Sequence, residues 1–256
     1  MGKLYSRVIA AGLCGCLALA GCTAGNSSNS GSSVPDAQTG TDEQGDARAV
    51  SGEWKTNTEP SSTILSAEQE AVFNKATEGV EDVSFGPVAV IGQQVVAGMN
   101  YAYLCQNTYW EGDATPEWAV VTIYNDLEGN AKIVEEKSLD VADVRTSDSA
   151  AERGATGAWA TQVPEKASGQ VRLPKPAQKA FDAASKAHGD ASLTPVALLG
   201  TQGEAASGTD YRFVAIEAQK GEEQGAACVV DVYEDASGTY AVGDSAPLDL
   251  AYYVTR

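Results

Sequence analysis

The chain has 256 residues, 17 basic against 35 acidic, for a formal charge of −18 at neutral pH. An acidic excess of that size repels nucleic acid and anionic lipid headgroups, so neither is expected as a partner held by charge. A single histidine excludes a paired-histidine metal centre.

The N-terminus carries Lys3 and Arg7 and no acid, then an apolar stretch from Val8 to Ala20. Spanning a bilayer takes ~20 apolar residues, so this stretch is too short to cross one. It ends in Leu19-Ala20-Gly21-Cys22. Positive charge, a short apolar core and a small-residue cleavage site mark a signal peptide over residues 1–21. The last four residues resemble the lipobox of bacterial lipoproteins. That resemblance implies cleavage before Cys22, acyl chains (diacylglycerol and palmitate) on its sulfur, and an extracytoplasmic chain lipid-anchored to the cell membrane. An ordinary signal peptide cut near Ala20, with Cys22 incidental, is the alternative. Losing Lys3 and Arg7 with the leader takes the formal charge from −18 to −20. The membrane link then rests on acyl chains and not on basic side chains.

From Thr23 to about Val50 the residues are mostly Ser, Gly, Asn, Thr, Asp and Gln. Such a stretch cannot bury enough apolar surface to offset the entropy of ordering it. Residues 22–50 are therefore expected to be a lipidated cysteine followed by a disordered tether, which would reach roughly 30 Å.

Beyond Ser51 the sequence repeats itself. Gly52-Glu53-Trp54-Lys55-Thr56 returns as Gly157-Ala158-Trp159-Ala160-Thr161, and Pro87-Val88-Ala89-Val90-Ile91-Gly92 returns as Pro195-Val196-Ala197-Leu198-Leu199-Gly200. Val120–Tyr124 matches Val229–Tyr233, and Leu139-Asp140-Val141 matches Leu248-Asp249-Leu250, in the same order and at similar spacing. A period near a hundred residues indicates tandem domains, 51–146 and 155–256, joined by a short linker at 147–154.

Each copy shows one helical pattern. In the first, Ser66 and Gln69 form a capping box, and Val72, Phe73, Ala76 and Val80 lie along one face. In the second, Pro176 suits a helix start, Ala177, Ala180, Phe181 and Ala184 form the stripe, and Gly189 is the stop. Strands follow. Arg212 and Asp231 are expected on an outer face, which turns Tyr211, Phe213, Ala215, Cys228, Val230 and Val232 inward. The matching inward set in the first copy is Tyr101, Tyr103, Cys105, Ala119, Val121 and Ile123. Cys105 and Cys228 then occupy separate cores, too far apart for the ~6 Å Cα spacing of a disulfide, and two buried thiols are expected.

Between two of these strands the first copy reads Gln94-Val95-Val96-Ala97-Gly98-Met99-Asn100-Tyr101. This resembles the cystatins, protein inhibitors of papain-type cysteine proteases, whose first hairpin carries Gln-x-Val-x-Gly commonly followed by Asn-Tyr. The segment Phe73-Asn74-Lys75-Ala76 is similar to the cystatin helix. The resemblance implies an α+β fold of two tandem cystatin-like domains, each one helix packed on a curved antiparallel sheet. It also implies a contact at Gln94, Val95, Val96, Ala97 and Gly98, the loop that enters the protease cleft in that family. Valines at a hairpin tip expose apolar surface from which a folded monomer gains nothing; the alternatives are that the hairpin is merely inherited or that the second copy covers it.

The departures are specific. Ile123-Tyr124 is followed by Asn125-Asp126-Leu127-Glu128-Gly129 where cystatins usually offer Pro-Trp, leaving Leu127 as the one apolar side chain of the second hairpin. Gly52 is a weak counterpart of the cystatin trunk glycine. In the second copy Gln202-Gly203-Glu204-Ala205-Ala206-Ser207-Gly208 is longer and lacks the valines.

No HExxH, zinc-spaced cysteine cluster, Gly-x-Ser-x-Gly elbow or phosphate-binding glycine turn occurs. His188 falls at a helix end, and the acid pairs Glu135-Glu136 and Glu222-Glu223 suit a solvated edge. The expectation is a non-enzymatic protein without cofactor or metal, a surface-anchored binding module. Its partner would be a papain-type protease or an envelope protein; the alternative is a non-inhibitory envelope scaffold or adhesion module for a protein or glycan.

Overall fold

A run such as Tyr101-Ala102-Tyr103-Leu104-Cys105 has no charged residue to turn toward water, and a strand built from it is stable only when covered on both faces. In the computed structural model of the chain this cover comes from stacking two antiparallel sheets. The structure describes residues 52–56, 65–110, 116–144, 157–163, 165–167, 170–189, 191–203, 208–219, 225–243 and 245–254. The expected signal peptide, Cys22, the tether and the 147–154 linker lie outside these residues.

The first half runs β1 (Lys55–Thr56), α1 (Ala67–Thr77), β2 (Val83–Val96), β3 (Gly98–Tyr109), β4 (Pro116–Asn125) and β5 (Ala131–Ser138), in a sheet of order β1-β2-β3-β4-β5. The second runs β6 (Ala160–Thr161), a small hairpin β7 (Glu165–Ala167) and β8 (Gln170–Arg172), α2 (Lys175–Ala187), β9 (Ser192–Gln202), β10 (Thr209–Ala218), β11 (Gly225–Glu234) and β12 (Tyr240–Val242). Its sheet order is β12-β11-β10-β9-β6, with β13 (Ala246–Pro247) also on β11, and the chain closes with α3 (Leu250–Tyr253).

The halves match in register. Thr56 pairs with Gly92 as Thr161 pairs with Gly200. In β2 the ladder skips Val88 and Ile91; in β9 it skips the equivalent Val196 and Leu199. Each first skip follows a proline, Pro87 or Pro195, which has no N–H to give the ladder.

Ser66 and Gln69 close the capping box at the start of α1, Gln69 N–H to Ser66 Oγ at 3.2 Å and Ser66 N–H to Gln69 Oε1 at 2.9 Å. The helix ends at Thr77, so Val80 falls past it and is exposed instead of extending the apolar stripe. In α2 the buried residues are Ala177, Ala180, Phe181 and Ala184.

The expected α+β fold, two cystatin-like domains of one helix on a curved sheet, is corrected. The described residues are mostly antiparallel sheet with few helices, and their largest core lies between two sheets. Ala89, Ile91, Ala102, Leu104, Trp118, Val120, Leu139 and Val141 of the first half meet Val196, Leu199, Val214, Ile216, Val229, Leu248, Leu250 and Tyr253 of the second. The residues of α1 and α2 contribute only to two smaller clusters outside this layer, around Phe73 and Phe181. The outer-face reading of Arg212 and Asp231 falls with it. Their neighbours Val214, Ile216 and Val229 share that face and are buried, and burying them at ~25 cal/mol per Å² favours stacking over exposure. Arg212 stays at the rim of this layer, where Nη1 donates to Val141 O at 2.6 Å.

Cross-sheet bonds set the orientation. Trp118 Nε1 donates to Leu199 O at 2.8 Å, and Gln106 Nε2 to Gln162 O at 2.8 Å. A methyl placed on Gly200 would meet Val141 Cγ1 at 2.7 Å, and one on Gly92 would meet Leu250 Cδ1 at 3.1 Å. Gly200 is close to the β9–β10 turn, whereas Val141 follows Leu139, whose N–H bonds Trp118 O far from the β2–β3 turn. The converse holds for Gly92 and Leu250. The two hairpin turns therefore point to opposite ends of the sandwich. Cys105 and Cys228 are buried in different clusters, on the outer sides of the two sheets.

Candidate functional site

One end of the first sheet gathers the residues singled out in the sequence. Val95 pairs with Met99 and Val96 with Gly98, leaving Ala97 alone at the apex of a tight turn. Only glycine suits the closing position: Gly98 has φ +124°, and a Cβ there would lie 2.3 Å from Asn125 O. The same contact shows that the β2–β3 turn rests against the start of the β4–β5 turn. Tyr124 Oη reinforces the junction by donating to Ala97 O.

Gln94 is not a contact residue in this arrangement. It is 8 % exposed; its Nε2 donates to Gly52 O at 2.9 Å, and its Oε1 accepts from Asn100 Nδ2 at 2.8 Å. Gly52 N–H donates in turn to Val95 O at 2.8 Å. The N-terminal segment is thus bracketed onto the hairpin. The second copy repeats the device, with Gln202 Nε2 to Gly157 O at 2.6 Å.

Beyond the bracket the apolar groups emerge. Val95 is 60 % exposed and Leu127 80 %, with Ala97 exposed and Val96 half-buried. Leu127 stands on a rigid turn. Asp126 N–H bonds Asn130 O at 2.9 Å, Gly129 N–H bonds Asp126 O at 3.1 Å, and Asn130 N–H reaches Asp126 Oδ1 at 2.6 Å. Those bonds from Asn130 hold the Asp126 carboxyl below the usual carboxylate range, and Lys75 adds to the shift. Lys75 Nζ also donates to Gly129 O at 2.6 Å, tying the turn to α1.

The second copy supplies an internal control. Asp235 N–H bonds Thr239 O at 2.9 Å, Gly238 N–H bonds Asp235 O at 2.9 Å, and Thr239 N–H reaches Asp235 Oδ1 at 2.9 Å. The frame is the same, yet Ala236 stands where the first copy has Leu127. The turn does not need a leucine. Residues 204–207 of the other hairpin lie outside the described residues.

Sequence reasoning singled out Val95, Val96, Ala97, Gly98 and Leu127, and the structure gathers them at one end. It missed that Gln94 faces inward, and it missed Lys75 and Tyr124 as supports. Lys75 and Gly129 are 54 positions apart, and nothing local announces such a contact. Among the described residues no group of three His, Cys, Asp or Glu could hold a metal ion. His188 caps α2, its Nδ1 3.2 Å from Ala184 O. Among the same residues no helix is long and apolar enough to cross a membrane. No protein-family model matches the chain, and no curated protein matches it.

Proposed function

We propose that this chain is an extracytoplasmic lipoprotein, anchored through Cys22, that acts as a non-catalytic protein-binding module. The contact is the end formed by Val95, Ala97 and Leu127, whose exposed apolar side chains would enter a cleft in a partner. The observation carrying the reading is the pair Leu127 and Ala236: one turn frame, used twice, bears a large exposed apolar side chain in one copy only. Filling a cleft with Val95 and Leu127 is worth ~3 kcal/mol or more at 1.5–3 kcal/mol for each side chain. Because hydrogen bonds already hold both turns, little ordering opposes that gain. The Gln-x-Val-x-Gly resemblance makes a papain-type cysteine protease the first partner to test.

The test is titration of residues 47–256, a single compact unit, into papain. Activity should fall with added protein, and Val95→Asp should weaken inhibition about thirtyfold or more, the scale of a lost ~2 kcal/mol anchor. Undiminished activity at micromolar protein would remove the protease as partner. The second reading is a non-inhibitory envelope scaffold or adhesion module for a protein or glycan. It is favoured by the acids Asp126 and Glu128 beside Leu127. Recovery of one envelope partner by wild type and Val95→Asp alike would support it.

A further inference from the structure

The acid pair on β5 divides between the two faces of the strand. Glu135 meets Lys137 at 3.1 Å on one face. On the other, Glu136 Oε1 accepts from Asn107 Nδ2 at 2.7 Å and from the Tyr109 hydroxyl. Both donors reach the same oxygen, and no described residue donates to Oε2. Asn107 is 0 % exposed, and its own Oδ1 is buried without a partner. That oxygen shares a carbon with the nitrogen held on Glu136, so it lies against the same carboxylate, and a buried acceptor left unmet destabilises the fold. Glu117 is the cross-strand partner of Asn107 and is exposed, which puts its side chain next to Asn107 on the same face. The Tyr109 hydroxyl registers both acids: burial raises its pKa, the bond to Glu136 and its charge raise it further, and the charge of Glu117 adds to them. Among the described residues no Lys or Arg forms an ion pair with Glu117 or Glu136.

The second copy fills the same place differently. Glu217 stands where the first copy has Asn107, and Ser245 where it has Glu136. Glu217 Oε2 accepts from the Ser245 hydroxyl, and Oε1 from Gln219 Nε2 at 3.2 Å. Both carboxylate oxygens are met there, so the sheet itself has no need of the unmet oxygens in the first copy. We propose that Glu136, Glu117 and the amide oxygen of Asn107 form a binding site for one calcium ion. The donors of Asn107 and Tyr109 are already spent on Glu136, so the set lacks a positive partner and has no donor left for a solute such as a sugar. Asn107 Oδ1 is too shielded for an ammonium or guanidinium carried on a side chain, whereas a single ion is small enough to reach it. Calcium accepts irregular sets of carboxylate and amide oxygens and completes its shell with water, while magnesium demands near-octahedral geometry. The site lies at the other end of β3 from Gly98 and does not rest on the protein-binding reading above.

The test is equilibrium dialysis of the full chain, freed of divalent ions with a chelator, against calcium chloride in about 0.15 M sodium chloride, which screens diffuse attraction to an acidic surface. One calcium per chain should bind, with a dissociation constant in the range of about 10⁻⁴–10⁻³ M common to weak oxygen-ligand sites. Glu136→Gln keeps an oxygen that accepts from Asn107 and Tyr109, so the fold should survive while affinity falls about tenfold or more with the lost ligand charge. Glu117→Gln, at an exposed position, should weaken binding several-fold, and Glu217→Gln in the second copy should leave it unchanged. Terbium, used as a calcium probe, should luminesce when Tyr109 or Trp110 beside the site is excited. Calcium should displace it, and the signal should be lost in Glu136→Gln. Circular dichroism separates lost binding from lost fold, and Glu117→Gln decides the matter if Glu136→Gln unfolds. Equal uptake by wild type and both first-copy variants would mean a diffuse counter-ion only and overturns the site. Absence of uptake at millimolar calcium overturns it as well.

Discussion

Gly98 is held at φ +124° with its α-hydrogen facing Asn125 O, and a methyl there would sit 2.3 Å from that oxygen. Real carbon–oxygen contacts are never that short, so alanine forces the two turns apart and strains the backbone as well. Gly98→Ala should destabilise the fold by about 2–3 kcal/mol in urea denaturation, more than Gly→Ala costs at an unstrained position. Gly129→Ala is the comparison: φ there is also positive, at +80°, but nothing lies within 4 Å of the added methyl. If the two variants unfold at the same denaturant concentration, crowding between the turns is not what selects glycine at position 98. Residue type and turn chemistry were readable here. Gly98 belonged to a recognisable hairpin sequence, and Asp126 and Gly129 are turn formers. The inward rotation of Gln94 was not, because its acceptor is the carbonyl of Gly52, 42 positions away.

At the scale of elements, one side chain joins three parts of the chain. Arg212 on β10 places Nε and Nη2 on the two carboxylate oxygens of Asp231 on β11, each at 2.8 Å. Its Nη1 reaches Val141 O at 2.6 Å, and its guanidinium lies 4.5 Å from the centre of the Trp159 ring. The first copy has Ala102 and Thr122 at the matching paired positions, so the clamp belongs to the second sheet alone. Arg212→Ala removes the bidentate pair and leaves Asp231 mostly shielded without its counter-charge, an expected loss of about 2–3 kcal/mol. Arg212→Lys should recover only part of it, since an ammonium cannot bridge both carboxylate oxygens and the Val141 carbonyl together. Chemical denaturation of both variants checks this; full rescue by lysine would mean that charge, not the planar fork, holds the clamp. The helix elements were legible from spacing, since Ala177, Ala180, Phe181 and Ala184 recur on one face. The strand faces were legible on one side only. A charged residue at Arg212 suggested open water, while the valines and isoleucine beside it required cover.

The whole molecule is governed by the layer between the sheets. Trp118 is the largest fully buried side chain there, and its Nε1–H is satisfied by Leu199 O of the opposite half. Trp118→Ala deletes that volume and the cross-sheet bond, and about 3–5 kcal/mol of stability should go with it. Because both halves share this core, the loss should appear in one transition. In calorimetry of wild type and variant, the calorimetric and van't Hoff enthalpies should agree. Two separate melting transitions, with only one moved by Trp118→Ala, would show that the halves unfold independently.

Local chemistry was decided by the sequence alone: the duplicated order of segments, the two helices, the turn residues and the hairpin at Val95 all depend on neighbours a few positions apart. Stacking was decided only by tertiary structure. Whether Val214, Ile216 and Leu104 face water or another sheet depends on what the rest of the chain brings opposite them. No pattern within a strand encodes the identity of its cover. The same dependence explains why Leu127 gained meaning from the structure: only the superposable frame around Ala236 shows that the fold itself has no use for a leucine there.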